Sequence, residues 1–446
     1  MALRTMVMLV AFVASLPICF MRPFYGVLMW TIVAFVNPQS YLWSSRNIFP
    51  WAEAVAIPTL AGLVFFSRGW TSRVASRESF LLLTLWMWFT ITSFASINTP
   101  LFLHHATETR FRWELVSKIL LMTVVTIALV KTFTQLRILL LVIAGCFGLF
   151  IVKALPFIVL TGGSFRLYGP PGSMIADNND FGLALNMTFP MFFFFAQTEA
   201  KRWMRWLSRG LAIIVIPAIF FTYSRGALLG LGAIGLFIIA QSRARVAIAP
   251  VIGLGLAVAI LFAPVSWKNR MDPSQSLDAS GASRLNAWTF AWNLANDYPI
   301  TGGGFDTFTP ELFDRYAPTS IDVKGPHSIY FGVLGEHGFV GLLLYLALVV
   351  SCWLTTGRIC KQARSFGDHT ALCYANMLRF SLVGFLVSGA FLGRAYFDYF
   401  FTIVACVAIL KRVCEAQWFS ADFDDVESVE APLLNNYEAH ISQQAL

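Results

Sequence analysis

Long apolar runs separated by short polar segments make up most of the chain. The runs lie at about 6–20, 24–36, 52–67, 79–98, 114–131, 136–160, 181–197, 209–222, 224–240, 246–263, 338–356, 372–392 and 395–410. Most of them approach the roughly 20 residues that a helix needs to cross a bilayer. Because a backbone inside lipid must satisfy its own hydrogen bonds, the pattern predicts a series of transmembrane helices.

Arg22 and Pro23 interrupt the apolar stretch over residues 6–36. This stretch is long for one span and short for two. We expect it to form one broken or hairpin-like element. The chain then has about 12 spans with both termini on the same side of the membrane, and about 13 spans is the alternative.

The composition agrees with this interpretation. The chain is 57% hydrophobic and 13% charged, whereas a soluble chain has about 25% charged residues. Soluble enzyme folds, nucleic-acid modules and disulfide scaffolds are excluded, and nucleic acid is excluded as a partner. We therefore predict an all-α polytopic membrane bundle surrounded by a lipid bilayer.

The basic residues indicate the orientation of the bundle. They cluster in connections at 68–77, 201–209, 243–245, 358–364 and 411–412, which fall on one side if the runs alternate. Cytoplasmic connections carry an excess of Lys and Arg. The opposite, outer side then carries the connection 161–180 and the long segment 264–337. That segment has eight acidic and five basic residues, so we expect it to build the extramembrane site.

These features divide the chain into five regions. We predict an N-terminal membrane region over 1–160, membrane helices with outer arginines over 161–263, and an outer loop with short helices and the catalytic elements over 264–337. C-terminal membrane helices follow over 338–412, and an acidic cytoplasmic tail over 413–446.

Two arginines at the outer side are candidate anion ligands. Arg225 lies between two apolar runs, at the outer end of a tight helical hairpin. Its alternative role is to contact lipid phosphate at the membrane surface. Arg284 lies in the first turn of a helix predicted over 283–295, where the helix dipole favours an anion. Its alternative role is that of an ordinary surface arginine.

The helix over 283–295 is predicted from its apolar positions. Leu285, Trp288, Trp292 and Ala295 recur at helical spacing, and Ser283 can cap the start. We expect the two tryptophans to lie at the membrane interface.

Two histidines lie where the outer loop meets the next span. His327 follows Pro326, and His337 stands ten residues later. Either one can act as a general base near neutral pH, and we favour His327. Lys324, Arg270 and Arg166 are possible auxiliary residues. The glycine-rich stretch 230–235 resembles a dinucleotide fingerprint but lies inside an apolar run, so no nucleotide is expected.

Several of these residues resemble a known family. His327-Ser328, nine residues, Gly338, two residues and Gly341 fit the H-[NSQ]-x9-G-x-x-G signature of the O-antigen ligases. The segments 223–227, 283–288, 298–304, 166–169 and 178–179 resemble other segments of the same superfamily of O-antigen ligases, polymerases and O-oligosaccharyltransferases. The first 150 residues are most similar to ligases described as exosortase-associated.

The resemblance implies a function. It implies an O-antigen ligase in the inner membrane of a Gram-negative bacterium, with its active site facing the periplasm. The enzyme would transfer a glycan from undecaprenyl pyrophosphate to a hydroxyl of lipid A-core, with inversion and with no metal or cofactor. His327 would deprotonate the acceptor, while Arg225 and Arg284 would hold the pyrophosphate.

Three alternatives stand beside this function. A protein O-glycosylation ligase and an O-antigen polymerase use the same donor with another acceptor. A transporter or flippase belongs to a different class, and it predicts charges at mid-membrane and repeat symmetry. The polar residues instead gather at one face, which favours chemistry on a lipid-linked substrate.

Overall fold

The protein folds into α-helices. The computed structural model describes residues 3–41, 50–241 and 263–418, together with the single residues 253 and 261. Within these ranges there is no β-strand. The fold class predicted from the apolar runs, an all-α membrane protein, is therefore confirmed at this level.

Among the described residues, seven α-helices precede residue 161. They are α1 (Leu3–Met21), α2 (Pro23–Val36), α3 (Trp51–Phe66), α4 (Trp70–Val74), α5 (Arg77–Ile97), α6 (Ala106–Leu129) and α7 (Phe133–Leu160). Arg22 has non-helical backbone angles and separates α1 from α2, as its position before Pro23 predicts. Ser76 and Thr132 cap α5 and α7, because their side chains accept hydrogen bonds from backbone N–H groups of the first turns.

The remaining helices carry most of the candidate residues. They are α8 (Asn178–Thr198), α9 (Arg202–Phe220), α10 (Arg225–Gln241), α11 (Val265–Met271), α12 (Pro273–Asp297), α13 (Pro310–Tyr316), α14 (Ile329–Ser365), α15 (His369–Gly389) and α16 over 398–418.

Five of the described helices are long and apolar enough to cross a membrane: α5, α7, α9, α14 and α15. Shorter apolar helices include α2, α3 and α10. The chain is thus a multi-pass membrane protein, and the total of 12 spans stays a prediction. The run expected at 246–263 and the tail beyond 418 fall largely or wholly outside the described residues.

Helices α8 and α16 form the centre of the bundle. Nearly every residue of α8 is buried, and so are residues 403–410 of α16. A helix that is apolar on all sides is stable in the interior of a bundle. Tyr399 of α16 stacks on Phe147, with ring centroids 5.1 Å apart, and its hydroxyl lies 3.0 Å from Thr188 Oγ1.

Small residues allow α8, α10 and α15 to approach closely. A Cβ added at Gly230 would lie 2.0 Å from Ser388 Oγ, and one added at Gly384 would lie 3.1 Å from the carbonyl oxygen of Asn186. The amide of Asn186 donates to the carbonyl of Ala227 and to Ser388 Oγ. Close packing and buried hydrogen bonds of this kind hold membrane helices together.

The outer-loop helix differs from its prediction. It ends at Asp297 as expected but begins at Pro273, so Ser283 lies within it and does not cap it. The predicted apolar positions are divided between two sides of the helix, because Leu285 and Trp292 are exposed whereas Ala295 is buried. The buried side is formed by Ala287, Phe290, Ala291 and Leu294. This side faces α13 and α14, so packing against neighbouring helices decided the orientation.

Candidate active site

A cavity of about 530 Å³ lies between the start of α8, the segment 325–328 and the loop between α15 and α16. Its volume is within the range of ligand-binding cavities. His327 lines it, and a Cβ added at Gly393 of the facing loop would lie 3.6 Å from the His327 backbone nitrogen. The cavity is therefore built around the histidine that the sequence singles out.

The backbone holds His327 in an unusual conformation. Its φ is +42°, in the left-handed region that non-glycine residues rarely adopt, at a cost of about 1–3 kcal/mol. The next residue, Ser328, precedes the first turn of α14. The strain is a consequence of the sharp turn that presents the imidazole to the cavity.

Trp288 stabilises this turn. Its indole ring stacks on Phe331, with centroids 5.0 Å apart and an interplanar angle of 9°. Its Nε1 donates a 2.8 Å hydrogen bond to the carbonyl of Pro326. The ring of Trp288 therefore packs beside the candidate base, and its predicted location at the membrane interface stays a prediction.

The surroundings of His327 favour a neutral imidazole. Enclosure by the cavity walls and the positive charge of Arg284 lower its pKa below the usual value, while Asp177 opposes the shift. A lowered pKa means that the ring is unprotonated at neutral pH. An unprotonated imidazole is the form that accepts a proton.

Four arginines lie within electrostatic range of one another, and one of them, Arg284, also acts on His327. They form the arginine cluster, which consists of Arg166, Arg225, Arg270 and Arg284. Arg225 begins α10, and its Nη2 donates a 3.0 Å hydrogen bond to the carbonyl of Arg270. Desolvation and the charges of neighbouring arginines lower the pKa values of Arg270 and Arg284.

The arginine cluster has spare hydrogen-bonding capacity. Nε of Arg225 and Nε of Arg270 are buried without a hydrogen-bond partner among the described residues. In the part of the chain that the structure describes, none of the four arginines forms an ion pair with a carboxylate. Four cations that repel one another indicate a site for an anion with several acceptor oxygens.

His337 lies in a different environment from His327. Its side chain is fully buried and stacks on Phe89, with ring centroids 4.2 Å apart. Its Nδ1 is 2.6 Å from Thr92 Oγ1, and its backbone carbonyl accepts from Trp88 Nε1. His337 does not line the cavity.

Gly338 and Gly341 shape the backbone next to the cavity. Gly338 breaks α14 with φ +67° and ψ −171°, and a Cβ there would lie 2.6 Å from the carbonyl oxygen of Pro299. A Cβ at Gly341 would lie 2.4 Å from that of His337. The break lets segment 299–306 hydrogen-bond to α14, through Phe339 N to Pro299 O and Gly303 N to Gly335 O.

Sequence reasoning missed a second set of ionisable residues in the cavity. Arg112 of α6 forms a two-bond ion pair with Asp306. Glu336 accepts hydrogen bonds from the Asp306 backbone N–H and the Tyr396 hydroxyl. A third group is Arg394, which pairs with Asp180. Charged residues at the outer ends of apolar runs were the available signal, because such residues rarely lack a function.

Lys324 lies outside the cavity wall. Its Nζ is 3.0 Å from a carboxylate oxygen of Asp322, and both side chains are exposed. It acts on His327 only through its charge, which lowers the pKa of the imidazole.

Part of the chain is similar to a known protein family. Residues 210–346 match the O-antigen ligase family, and this segment contains Arg225, Arg270, Arg284 and His327. This match supports membership of the O-antigen ligase superfamily and confirms the resemblance found in the sequence. Members of that family are membrane glycosyltransferase-like ligases and polymerases.

A second match covers the N-terminal part of the chain. Residues 3–195 match a family of unknown function, DUF5935. This segment contributes Arg112, Asp177, Asn179 and Asp180 to the cavity. None of the curated proteins matches the chain.

Proposed function

We propose that the chain is an O-antigen ligase, which transfers a glycan from undecaprenyl pyrophosphate to a hydroxyl of lipid A-core in the periplasm. The observation that carries the proposal is that the arginine cluster reaches His327 through Arg284. A group of guanidinium side chains suits a pyrophosphate, and a neutral histidine suits a hydroxyl.

In this reaction His327 is the base. It removes the proton from the acceptor hydroxyl, and the oxygen attacks the anomeric carbon of the donor sugar. The bond from that carbon to the phosphate oxygen breaks, and undecaprenyl pyrophosphate leaves with the bonding electrons. Attack from the face opposite the leaving group inverts the anomeric configuration. The proton on His327 is then released to solvent or to the departing phosphate.

Arg225 and Arg284 hold the pyrophosphate, with Arg270 and Arg166 as auxiliary residues. The leaving group gains negative charge as the bond breaks, so fixed guanidinium groups stabilise the transition state more than the ground state. A second cavity of about 490 Å³ supports a lipid-linked donor. Arg166 lines it together with Phe157, Phe165, Tyr168 and Tyr223.

His327 is favoured over His337 for a geometric reason. A base must come within hydrogen-bond distance of the proton that it removes. His327 lines the cavity, whereas His337 is enclosed by Phe89, Phe305 and Tyr396.

A protein acceptor is the second candidate. The N-terminal part of the chain matches a family separate from the O-antigen ligase family, and it contributes to the cavity. A separate N-terminal family is the observation that favours an acceptor other than lipid A-core. A polymerase would use a second lipid-linked glycan as its acceptor.

Reconstitution tests the function. The purified full chain is incubated in liposomes with undecaprenyl-pyrophosphate glycan, a chelator and one of three acceptors: lipid A-core, a pilin-like protein, or a second lipid-linked glycan. We expect glycosylated lipid A-core. Product with the protein alone would establish the second candidate, product with the glycan alone would establish a polymerase, and no product with any acceptor would refute the proposal.

A further inference from the structure

Two chemically different groups of residues lie near His327. The arginine cluster is supplied mainly by the segment that matches the O-antigen ligase family, and its side chains do not line the His327 cavity. The polar lining of that cavity, here called the acceptor wall, consists of Arg112, Asp177, Asn179, Asp180, Asp306, Glu336, Arg394 and Tyr396. Four of these residues lie in the N-terminal segment that matches the family of unknown function.

The start of α8 forms one half of the acceptor wall. Asp177 caps the helix, since its Oδ1 accepts a 2.8 Å hydrogen bond from the Asn179 backbone N–H. Asp177 is exposed to the cavity. Asp180 is buried and bound to Arg394. This half therefore presents one free carboxylate and one neutralised carboxylate.

The other half is a connected polar network. Asp306 has φ +55°, and its backbone N–H donates a 2.9 Å hydrogen bond to Glu336 Oε1. Arg112 donates two hydrogen bonds, of 3.0 and 3.1 Å, to the carboxylate of Asp306. The Tyr396 hydroxyl donates to the other oxygen of Glu336. These contacts preorganise acceptor oxygens beside the Tyr396 ring.

The acidic side chains of this wall outnumber its basic ones, in contrast to the arginine cluster. The acidic side chains are Asp177, Asp180, Asp306 and Glu336, and the guanidinium groups come from Arg112 and Arg394. Both guanidinium groups are already paired with carboxylates. No cation of this wall is left to pair with a phosphate, whereas carboxylate and amide oxygens accept hydrogen bonds from hydroxyl groups. A second anion near Asp177 would be repelled.

The spread of polar groups favours a sugar over a single side-chain hydroxyl. Asp177 and Asn179 lie on the α8 half, whereas Asp306 and the Glu336–Tyr396 pair lie on the other half. A sugar presents several hydroxyls at once, and the rings of Phe308 and Tyr396 add apolar surface for its carbon faces. A serine or threonine residue would engage one half only.

We propose that the acceptor wall is the acceptor subsite and that it selects an uncharged sugar over a phosphorylated one. It follows that the N-terminal segment of unknown function takes part in choosing the acceptor. This inference rests on the proposed function, because only that function makes the bound sugar an acceptor. The preference of the acceptor wall for an uncharged sugar can be measured by binding alone, without donor and without glycan transfer.

The test is a competition measurement on the full chain in lipid nanodiscs. Saturation-transfer NMR follows bound methyl α-glucoside while glucose or glucose 6-phosphate is added. We expect half-displacement of the glucoside to need a concentration of glucose 6-phosphate at least about tenfold higher than that of glucose. Because displacement is followed at the sugar site, phosphate binding at the arginine cluster does not enter the result.

Asp177→Asn is the diagnostic variant, because asparagine caps helices as well as aspartate does. Removal of its charge is expected to reduce, about fivefold, the ratio between the concentrations of glucose 6-phosphate and glucose that displace the glucoside equally. Asp314→Asn, which changes an exposed acid outside the cavity, is the control and should leave the discrimination unchanged.

Three results would overturn the inference: equal or better displacement by glucose 6-phosphate, discrimination unchanged in Asp177→Asn, or binding of a serine- and threonine-containing peptide with no binding of the glucoside. Sugar selectivity in a chain that transfers no glycan would refute the proposed function alone. Transfer to a phosphorylated sugar as fast as to an uncharged one would refute the acceptor wall alone.

Discussion

The indole Nε1 of Trp288 donates a 2.8 Å hydrogen bond to the carbonyl oxygen of Pro326, the residue before His327. The hydrogen bond joins α12 to the turn in which His327 has its positive φ. Trp288 therefore positions the proposed base without touching the cavity, since it is absent from the residues that line it.

Trp288→Phe tests this positioning role. Phenylalanine can still stack on Phe331, but the hydrogen bond to Pro326 is lost. We expect glycan transfer to fall about tenfold, a loss typical of misplaced catalytic groups, with little change in the thermal unfolding temperature. Trp292→Phe is the matched control, because Trp292 is half exposed and makes an edge contact with Phe339. Equal activities of the two variants would contradict the role of Trp288.

The pH dependence of transfer should follow the lowered pKa of His327. Its folded-state pKa lies below the ordinary value, so the ring stays unprotonated as the pH falls toward 6.5 and becomes protonated only below that. Transfer should be constant from about pH 7 to 8 and fall on the acid side.

Lys324→Gln should move the acid limb toward higher pH. The positive charge of Lys324 lowers the pKa of His327, and its removal allows the pKa to rise. The rate–pH profile of the variant, measured with saturating donor, checks the direction. A shift toward lower pH, or a profile of the wild type without an acid limb above pH 4, would contradict His327 as the titrating base.

Gly338→Ala should destabilise the protein. Alanine at this position has to adopt φ +67°, and its Cβ would lie 2.6 Å from the carbonyl oxygen of Pro299. The conformational strain alone costs about 1–3 kcal/mol. Thermal unfolding in detergent measures the loss. Gly357→Ala, in the same helix with nothing within 4 Å of its added Cβ, should unfold like the wild type.

Arg225→Ala and Arg284→Ala should each weaken donor binding. Loss of one guanidinium from a pyrophosphate site removes charge-assisted hydrogen bonds worth about 1.5–3 kcal/mol, which corresponds to roughly 10- to 150-fold in Kd. Binding of undecaprenyl pyrophosphate to the purified chain measures the effect. Arg315→Ala, an exposed arginine beside Tyr316, is the control. If both variants bind undecaprenyl pyrophosphate with wild-type affinity, Arg225 and Arg284 do not belong to the donor site.

Local sequence signals were sufficient for the helices and for His327. Apolar run lengths predicted the helical membrane fold, and the spacing of His327, Gly338 and Gly341 predicted the family. The arginines were found one by one, but their gathering around Arg270 depends on how α10, α11 and α12 pack. No local pattern contains that information.

The acceptor wall was beyond sequence reasoning for the same reason. Arg112 and Asp306 are 194 residues apart in the chain and meet only through packing. The side of α12 that is buried depends likewise on its contacts with α13 and α14. Helical spacing identified an apolar side through Leu285 and Trp292, but it does not indicate which apolar side of α12 packs against the protein.

The most direct test of the account is single-turnover glycan transfer by His327→Ala, with His337→Gln as the control. The account predicts that His327→Ala binds undecaprenyl-pyrophosphate glycan like the wild type but transfers it at least about 100-fold more slowly, as expected for loss of a general base. His337→Gln, which changes a buried ring outside the cavity, should retain transfer wherever it remains folded. Wild-type transfer by His327→Ala would contradict the central claim.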